Sequence, residues 1–95
     1  MKSEAKIIQI KRAVTLLKAL AHPLRLRIVE CLERQELSVN EISESVNAGQ
    51  VAVSKQLAVL SDSGILGKRA KGNQRIYFVS KRDVFKVLGC IQNKL

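Results

Sequence analysis

The sequence predicts a mainly α-helical domain that carries a single small β-hairpin near its C-terminal end. Two observations predict this fold class. Apolar residues recur at helical spacing through most of the chain, but between residues 65 and 79 they fall into two short segments with strand-like patterning. A glycine-containing turn, KGNQ at residues 71–74, separates these segments, as in a hairpin. A chain of 95 residues is expected to form one domain, which we assign to residues 1–95.

The first two helices are predicted over residues 5–20 and residues 23–35. Apolar residues of the first helix follow helical spacing on a wide arc that includes Ile7, Ile10, Val14 and Leu17. An arc of this width must be covered on more than one side, by the domain core and by a second subunit. Pro23 favours a helix start, because its missing N–H has no partner in a first turn.

The next two helices are predicted on either side of a tight turn. Ser38 and Glu41 have the spacing of a capping box, in which each side chain accepts a hydrogen bond from the backbone N–H of the other residue. In the turn that follows the short helix, Gly49 is free to take a positive φ. The second helix is predicted over residues 50–63, with Gly64 as its C-cap.

The C-terminal part is predicted to contain two strands and one more helix. The strands cover residues 65–70 and 75–79. The helix covers residues 81–94, with Ser80 as its N-cap and Asp83 in its first turn, where the helix dipole favours an anion. The resulting order is helix, helix, helix, helix, hairpin, helix. Two helices joined by a short turn and followed by a basic hairpin are typical of a winged helix-turn-helix domain.

The charge of the chain favours a polyanionic partner. Seventeen Lys and Arg against eight Asp and Glu give a formal net charge of +9, which suits a nucleic acid or an anionic membrane surface. Between residues 63 and 82 there are no acidic residues and six basic ones, namely Lys68, Arg69, Lys71, Arg75, Lys81 and Arg82. Because most of these lie in a hairpin and not on one face of an amphipathic helix, a nucleic acid is favoured over a membrane.

Features that the sequence lacks argue against several classes of protein. It has no apolar run as long as a membrane span and no apolar segment typical of a signal peptide, so we expect a cytoplasmic protein without a membrane partner. It has no nucleophile–base pair, glycine-rich phosphate loop or carboxylate pair, so an enzyme is not expected. A winged-helix domain that binds another protein remains the alternative, although such a domain would be expected to lose the basic hairpin. RNA is less favoured, since only Tyr77 and Phe78 offer rings for base stacking.

Four parts of the sequence resemble the ArsR/SmtB family of small repressors. They are AHPLRLRIV at residues 21–29, ELSVNEI at 36–42, QVAVSKQLAVL at 50–60, and SGIL with GNQRIYF at 63–66 and 72–78. The resemblance implies a homodimer whose interface is formed by the first and last helices, residues 5–20 and 81–94. It also implies repression of transcription from an inverted repeat, in which two recognition helices read successive major grooves.

The helix over residues 50–63 is the predicted recognition helix, whose first turns face base edges in the major groove. Its candidate DNA contacts are Gln50, Val51, Ala52, Ser54, Lys55 and Gln56. Gln can pair with adenine, Lys can bind guanine or phosphate, and small apolar groups can touch a thymine methyl. The hairpin is the predicted wing, and its candidate contacts are Lys71, Asn73, Gln74 and Arg75. For Lys68 and Arg69, DNA contact and protection of an edge strand by charge are equally open.

No metal or other cofactor is predicted. The resemblance implies two places for a metal, but Ser38 and Asn40 stand where one of these sites would need cysteines. The last helix, which would hold the other site, offers Asp83 without a histidine. The only histidine, His22, precedes Pro23 and is expected to cap a helix or to be solvated.

The two cysteines leave two interpretations open. Some members of the family use one cysteine in each of the helices that hold Cys31 and Cys90, so the resemblance suggests regulatory thiols. Cys31 lies about one residue from the position expected for such a thiol, and one residue turns a helical side chain by about 100°. The other interpretation is that both cysteines are small buried hydrophobes.

Overall fold

The structure is a computed structural model that describes the backbone of residues 2–94 and the side chains of residue 7 and residues 9–89. Within these residues the chain forms five helices and a three-stranded antiparallel sheet. In chain order the elements are α1 (Lys2–Leu20), α2 (Pro23–Cys31), β1 (Leu37–Ser38), α3 (Val39–Val46), α4 (Gln50–Asp62), β2 (Leu66–Lys71), β3 (Gln74–Val79) and α5 (Val84–Lys94). The predicted fold, mainly helical with a hairpin before the last helix, is confirmed.

The sheet contains one strand that the sequence did not predict. Helix α2 ends at Cys31 and not near residue 35, and β1 follows after a short connection. β1 pairs antiparallel with Tyr77 and Ile76 of β3, so the strand order is β1-β3-β2. A strand of two residues is too short for its periodicity to show, and its partner strand is distant in the sequence. The pairing needs extended chain at Leu37 and Ser38, so the helix must end before these residues.

The predicted starts of α2 and α3 are confirmed, whereas α1 begins at Lys2 and not at residue 5. Helix α2 begins at Pro23, and Nδ1 of His22 accepts a hydrogen bond from the backbone N–H of Leu24 at 3.2 Å. Helix α3 begins with a complete capping box. The Ser38 hydroxyl accepts from the Glu41 N–H at 3.3 Å, and the Ser38 N–H donates to the Glu41 carboxylate at 2.9 Å. These bonds satisfy backbone donors that a helix start otherwise leaves unpaired.

Glycine does not supply the left-handed residue in the turn between α3 and α4. Gly49 has a φ of −66° and is the N-cap of α4, so it does not use the positive φ that glycine allows. The left-handed residue is Asn47, the C-cap of α3, with a φ of 53°. Asparagine adopts this conformation more readily than most residues, which explains why the turn can place it there. At its far end α4 stops at Asp62 with Ser63 as its C-cap, so the predicted C-cap, Gly64, lies one residue beyond it, with a φ of 80°.

The start of the last helix also differs from the prediction. Helix α5 begins at Val84 and not at residue 81, so Ser80 is not its N-cap and Asp83 lies before its first turn. The reason is that the backbone N–H of Ser80 still donates to the carbonyl of Ile65, at 2.8 Å. This bond continues the hairpin by one more residue, and the chain needs a further turn before it can become helical.

An aliphatic core joins α2, α3, α4 and the sheet. Its most deeply buried side chains are Ile28, Val29, Ile42, Val53, Leu57, Leu60, Ile65 and Val84. Full burial of one such side chain is worth about 1.5–3 kcal/mol relative to exposure. Because core residues hold α4 along its whole length, the direction of its outward face is fixed.

Helix α1 presents an apolar face that the described part of the chain leaves uncovered. Ile7, Ile10, Val14 and Leu17 are 51, 54, 42 and 46% exposed. Their spacing of three and four residues places them on one side of the helix. Such a continuous exposed apolar face is unusual on a monomeric protein and indicates an interaction surface. None of the helices within residues 2–94 is long and apolar enough to cross a membrane.

We expect Gly67→Ala to destabilise the domain by about 1–3 kcal/mol, the usual cost of forcing extra atoms into a packed site. Gly67 lies opposite Phe78 in the ladder of β2 and β3. A Cβ at Gly67 would come within 2.5 Å of Cζ of the Phe78 ring and 2.8 Å of the Ser80 hydroxyl. Urea unfolding measures the difference. The control is Gly89→Ala, because a Cβ at Gly89 meets nothing within 4 Å and alanine is favoured over glycine inside a helix. Equal stability of the two variants would contradict the packing described.

Candidate nucleic-acid interface

Helix α4 turns one face into the core and the other to solvent. Val53, Leu57 and Leu60 are buried. The predicted contact residues that are exposed are Gln50, Val51, Ala52, Ser54 and Lys55. Gln56 is half-buried, whereas Val51 is 83% exposed although it is apolar. The outward face of the first two turns therefore presents amide, hydroxyl, ammonium and methyl groups, which are the groups that bind base edges.

The hairpin of β2 and β3 forms the wing. Lys71 pairs with Gln74, so the turn consists of Gly72 and Asn73, and Gly72 has a φ of 61°. A glycine at the first of two turn positions suits the twist of a tight hairpin. The four predicted wing contacts are all exposed: Lys71, Asn73, Gln74 and Arg75. These four side chains therefore surround the tip of the predicted hairpin, and their contact with DNA stays a prediction.

Helix α4 and the wing border one groove. Its volume is about 450 Å³, and its lining includes Ser54 and Ala58 from the helix and Lys68, Asn73 and Arg75 from the wing. The groove thus joins a helix hydroxyl to two cations from the wing. This arrangement can bind phosphates through the wing while the helix contacts a base edge.

Of the two wing cations whose role was open, Arg69 is engaged within the protein. It forms an ion pair with Glu36, and its guanidinium carbon lies 5.9 Å from the centroid of the Phe78 ring. These contacts favour protection of the strand by charge. Lys68 lines the groove beside α4 instead, which favours contact with DNA.

Glu41 fixes the start of α3 next to the wing. Hydrogen bonding by the backbone N–H of Ser38, and then by its side chain, lowers the pKa of Glu41, and the positive charge of Lys71 adds to this shift. The carboxylate therefore stays charged at neutral pH. It anchors the first turn of α3 and contributes a negative charge near a wing residue.

Two side-chain contacts that the sequence analysis missed hold the helix-turn-helix together. The guanidinium of Arg27 donates to the carbonyl of Val46 at the end of α3, a group that a helix end leaves without a helical partner. The Nε2 atom of Gln50 donates to Oδ1 of Asn40. Both bonds join separate helices, so no periodicity in the sequence indicates them. The one feature of the sequence that hinted at the role of Asn40 was its polar side chain in the first turn of the helix before the predicted recognition helix.

The absence of a metal site stays a prediction. Among the side chains that the structure describes, no three His, Cys, Asp or Glu residues are grouped closely enough to hold a metal ion. His22 serves as the N-cap of α2, which confirms one of its expected roles. Ser38, at one of the positions where the family resemblance implies a thiolate ligand, is committed to its capping box.

Cys31 is packed as a small residue at the edge of the core. Its side chain is half-buried, and its thiol donates to the carbonyl of Ile28 at 3.1 Å. Burial raises the pKa of this thiol to about 11, the charge of Glu30 adds to the shift, and a backbone hydrogen bond opposes it. Only a small fraction is thiolate at neutral pH, which disfavours reactivity. Cys90 belongs to α5, but its side chain lies outside the described residues.

The helix-turn-helix, the basic hairpin and the groove between them define a regulator of transcription with a winged helix-turn-helix fold. A sequence profile of the family described as "Bacterial regulatory protein, arsR family" matches residues 22–68. The chain belongs to this ArsR family, and the predicted resemblance is confirmed.

Three known proteins illustrate the similarity. The transcriptional activator HlyU of Vibrio cholerae is 38% identical over 73 residues, which are 77% of this chain and 68% of the relative. The crystal structure of the transcriptional repressor BigR from Xylella fastidiosa matches with a TM-score of 0.89 and 30% identity over 100% of this chain and 97% of that one. A homodimeric winged helix-turn-helix DNA-binding domain from Mycobacterium bovis matches with a TM-score of 0.77 and 25% identity over 92% and 81%.

We expect Cys31 to react slowly with iodoacetamide in a Cys90→Ser variant. A pKa of about 11, against the ordinary 9.0, lowers the thiolate fraction at neutral pH by about 100-fold. The alkylation rate, followed by mass spectrometry, should be about 100-fold lower in the folded protein than in the same variant unfolded in urea. It should also keep rising with pH beyond 9.0.

The background for this measurement is the variant that carries both Cys31→Ser and Cys90→Ser. A folded protein that reacts as fast as the unfolded one would contradict the packing of Cys31 and favour a regulatory thiol.

Proposed function

We propose that the protein is a transcriptional repressor that binds an inverted-repeat operator in double-stranded DNA as a homodimer. The observation that carries this proposal is the groove shared by α4 and the wing, which joins Ser54 of the predicted recognition helix to Lys68, Asn73 and Arg75 of the wing. The similarity to the repressor from Xylella fastidiosa and to the homodimeric domain from Mycobacterium bovis supports it. A chromosomal DNA partner implies a cytoplasmic location.

The first turns of α4 enter the major groove in this proposal. Gln50, Ser54 and Lys55 are exposed there and offer hydrogen bonds to base edges, and Lys55 can also bind a phosphate. Val51 and Ala52 are exposed apolar groups of a size that fits against a thymine methyl. Gln56 is half-buried at the border of this set. Burying Val51 against DNA removes from water an apolar side chain that the free protein leaves 83% exposed.

The wing binds the phosphates and the minor groove beside this major-groove site. Its exposed tip offers two cations and two amides, from Lys71, Arg75, Asn73 and Gln74. A positive side chain at a hairpin tip is attracted by the negative potential of a narrow minor groove. Neutralised phosphates release counterions, so these charges set how steeply the affinity depends on salt.

The uncovered face of α1 supports the homodimer. A second copy of the chain is the occupant we propose for it, because a two-fold axis lets one self-complementary apolar face cover itself. The 46% apolar content of a 95-residue chain fits a protein that buries part of its surface in such an interface. Together with α5, α1 would set the two recognition helices about 34–36 Å apart, which matches one turn of DNA.

The proposal includes neither a metal nor catalysis. The signal that controls DNA binding acts either on the two cysteines or at another part of the protein. The packing of Cys31 supports a structural role for that residue. Thiol control through Cys31 and Cys90 is the alternative, and a comparison of the reduced and the oxidised protein in the DNA titration below decides between them. Equal affinity of the two forms supports the structural role.

We expect the reduced protein to bind inverted repeats from its own promoter region with an affinity that falls steeply with salt. Lys71→Ala and Arg75→Ala should each lower the slope of log K against log salt by about 1, because each removes one phosphate contact. Fluorescence anisotropy measures both quantities. The control is Lys86→Ala, which removes an exposed charge from α5, outside the groove, and should leave the slope unchanged.

A flat salt titration of the folded protein would contradict DNA binding and favour the winged-helix protein-interaction module. A reporter fused to the same promoter tests the direction of regulation. Expression should rise when the protein is removed, whereas a fall would indicate an activator, as the Vibrio cholerae relative is named.

We expect Leu17→Glu to convert the dimer into a monomer and to weaken operator binding by about 100-fold or more. A buried charge opposes the interface, and the loss of the dimer removes the gain from binding two half-sites at once. Sedimentation velocity measures the mass of the oligomer, and fluorescence anisotropy measures the affinity for operator DNA. The matched control is Thr15→Glu, which adds the same charge on another side of α1 and should stay dimeric. A Leu17→Glu variant that remains a dimer would show that this face is not the interface.

A further inference from the structure

We propose that Asn40 is a positioning residue for base recognition, which holds the carboxamide of Gln50 so that the recognition helix prefers adenine to guanine. The inference rests on the proposed function and extends it to a residue outside α4 and the wing. It starts from the hydrogen bond that Nε2 of Gln50 donates to Oδ1 of Asn40.

The two amides meet because the starts of α3 and α4 lie side by side. Asn40 is the second residue of α3, whose start is fixed by the capping box of Ser38 and Glu41. Gln50 is the first residue of α4 and follows Gly49, an N-cap that makes no side-chain hydrogen bond. Both backbones are therefore held by regular structure, and the bond between the side chains joins two fixed points of the fold.

The bond to Asn40 changes which hydrogen-bonding groups of the Gln50 carboxamide are free to contact a base. The amide of Gln50 has two N–H donors and one oxygen acceptor. Because Asn40 takes one donor, one donor and the oxygen remain for a base. In the major groove adenine offers the acceptor N7 and the donor N6, which match this remaining pair.

Guanine does not match a Gln50 carboxamide that is held in this way. Its major-groove edge offers two acceptors, N7 and O6, so one of them would face the oxygen of Gln50. Without Asn40, both N–H donors of Gln50 are free to turn to the guanine edge. The contact with Asn40 therefore lowers the affinity for guanine more than it raises the affinity for adenine.

Asn40 lies on the surface that DNA would cover. With the wing residues Asn73, Gln74 and Arg75 it helps to line a cleft of about 210 Å³. A duplex seated on α4 and the wing would enclose the bond between Asn40 and Gln50. Where water is excluded, solvent cannot replace a lost partner, so the contact has more influence in the complex than in the free protein.

The experiment compares adenine with guanine at the half-site position that Gln50 contacts. To find this position, wild-type protein and Gln50→Ala are titrated with duplexes that each carry one changed base pair. The position is the one at which the wild-type protein has a base preference and Gln50→Ala has none. We expect Asn40→Ala to lower the adenine-over-guanine affinity ratio there by about tenfold, within the usual range for a bidentate base contact. The salt slope should stay the same, because Asn40→Ala removes no charge.

The conservative variant Asn40→Asp separates positioning from general binding. Its carboxylate still accepts the N–H of Gln50, but it adds a negative charge on the DNA-facing surface. We expect it to keep the adenine preference while its affinity falls equally for all duplexes. Ser45→Ala, an exposed side chain on the same helix, is the control and should keep both affinity and preference.

The outcomes distinguish this inference from the proposed function. If Gln50→Ala removes a base preference and Asn40→Ala does not, the inference about Asn40 is wrong and the proposed function stands. Loss of the adenine preference in Asn40→Asp would also overturn the inference. If the wild-type protein binds no operator DNA, the inference and the proposed function are both wrong.

Discussion

Helix α4 buries one face in the core, and this burial sets the positions of its outward face and of the wing. Val53, Leu57 and Leu60 hold this helix in the aliphatic core, and the period of a helix then directs the opposite face to solvent. The same core contains Ile65 and Val84, which flank the hairpin. The recognition helix and the wing are therefore mounted on a single packed unit, and their common groove follows from the hydrophobic core.

Polar contacts refine the orientation that the core provides. The capping box fixes where α3 begins, the bond from Arg27 to the carbonyl of Val46 ties α2 to the end of α3, and the ion pair of Arg69 with Glu36 joins the wing to the chain before β1. At such exposed or partly exposed positions polar contacts of this kind add little to the stability of the fold. Their importance lies in geometry, since they decide which charges and amides are free to meet a ligand.

The apolar face of α1 shows that so small a core cannot cover all of the apolar side chains in the chain. It carries aliphatic residues at the same helical spacing as the core helices, yet the face with Ile10 and Leu17 is left open. A short chain has too little volume to cover all its apolar surface. The proposed dimer resolves this by the same physical effect that folds the domain, and it links the stability of the interface to the spacing of the two recognition helices.

Features that depend on neighbouring residues could be read from the sequence alone. They are the periodic helices, the helix start at Pro23, the cap at Ser38, the basic hairpin and the exposed face of α4. The tertiary structure alone decided the strand β1, the left-handed turn at Asn47 and the contact of Asn40 with Gln50. Periodicity and capping are local and leave a pattern in the chain. Strand pairing and contacts between helices join distant residues, so they exist only once the core has brought those residues together.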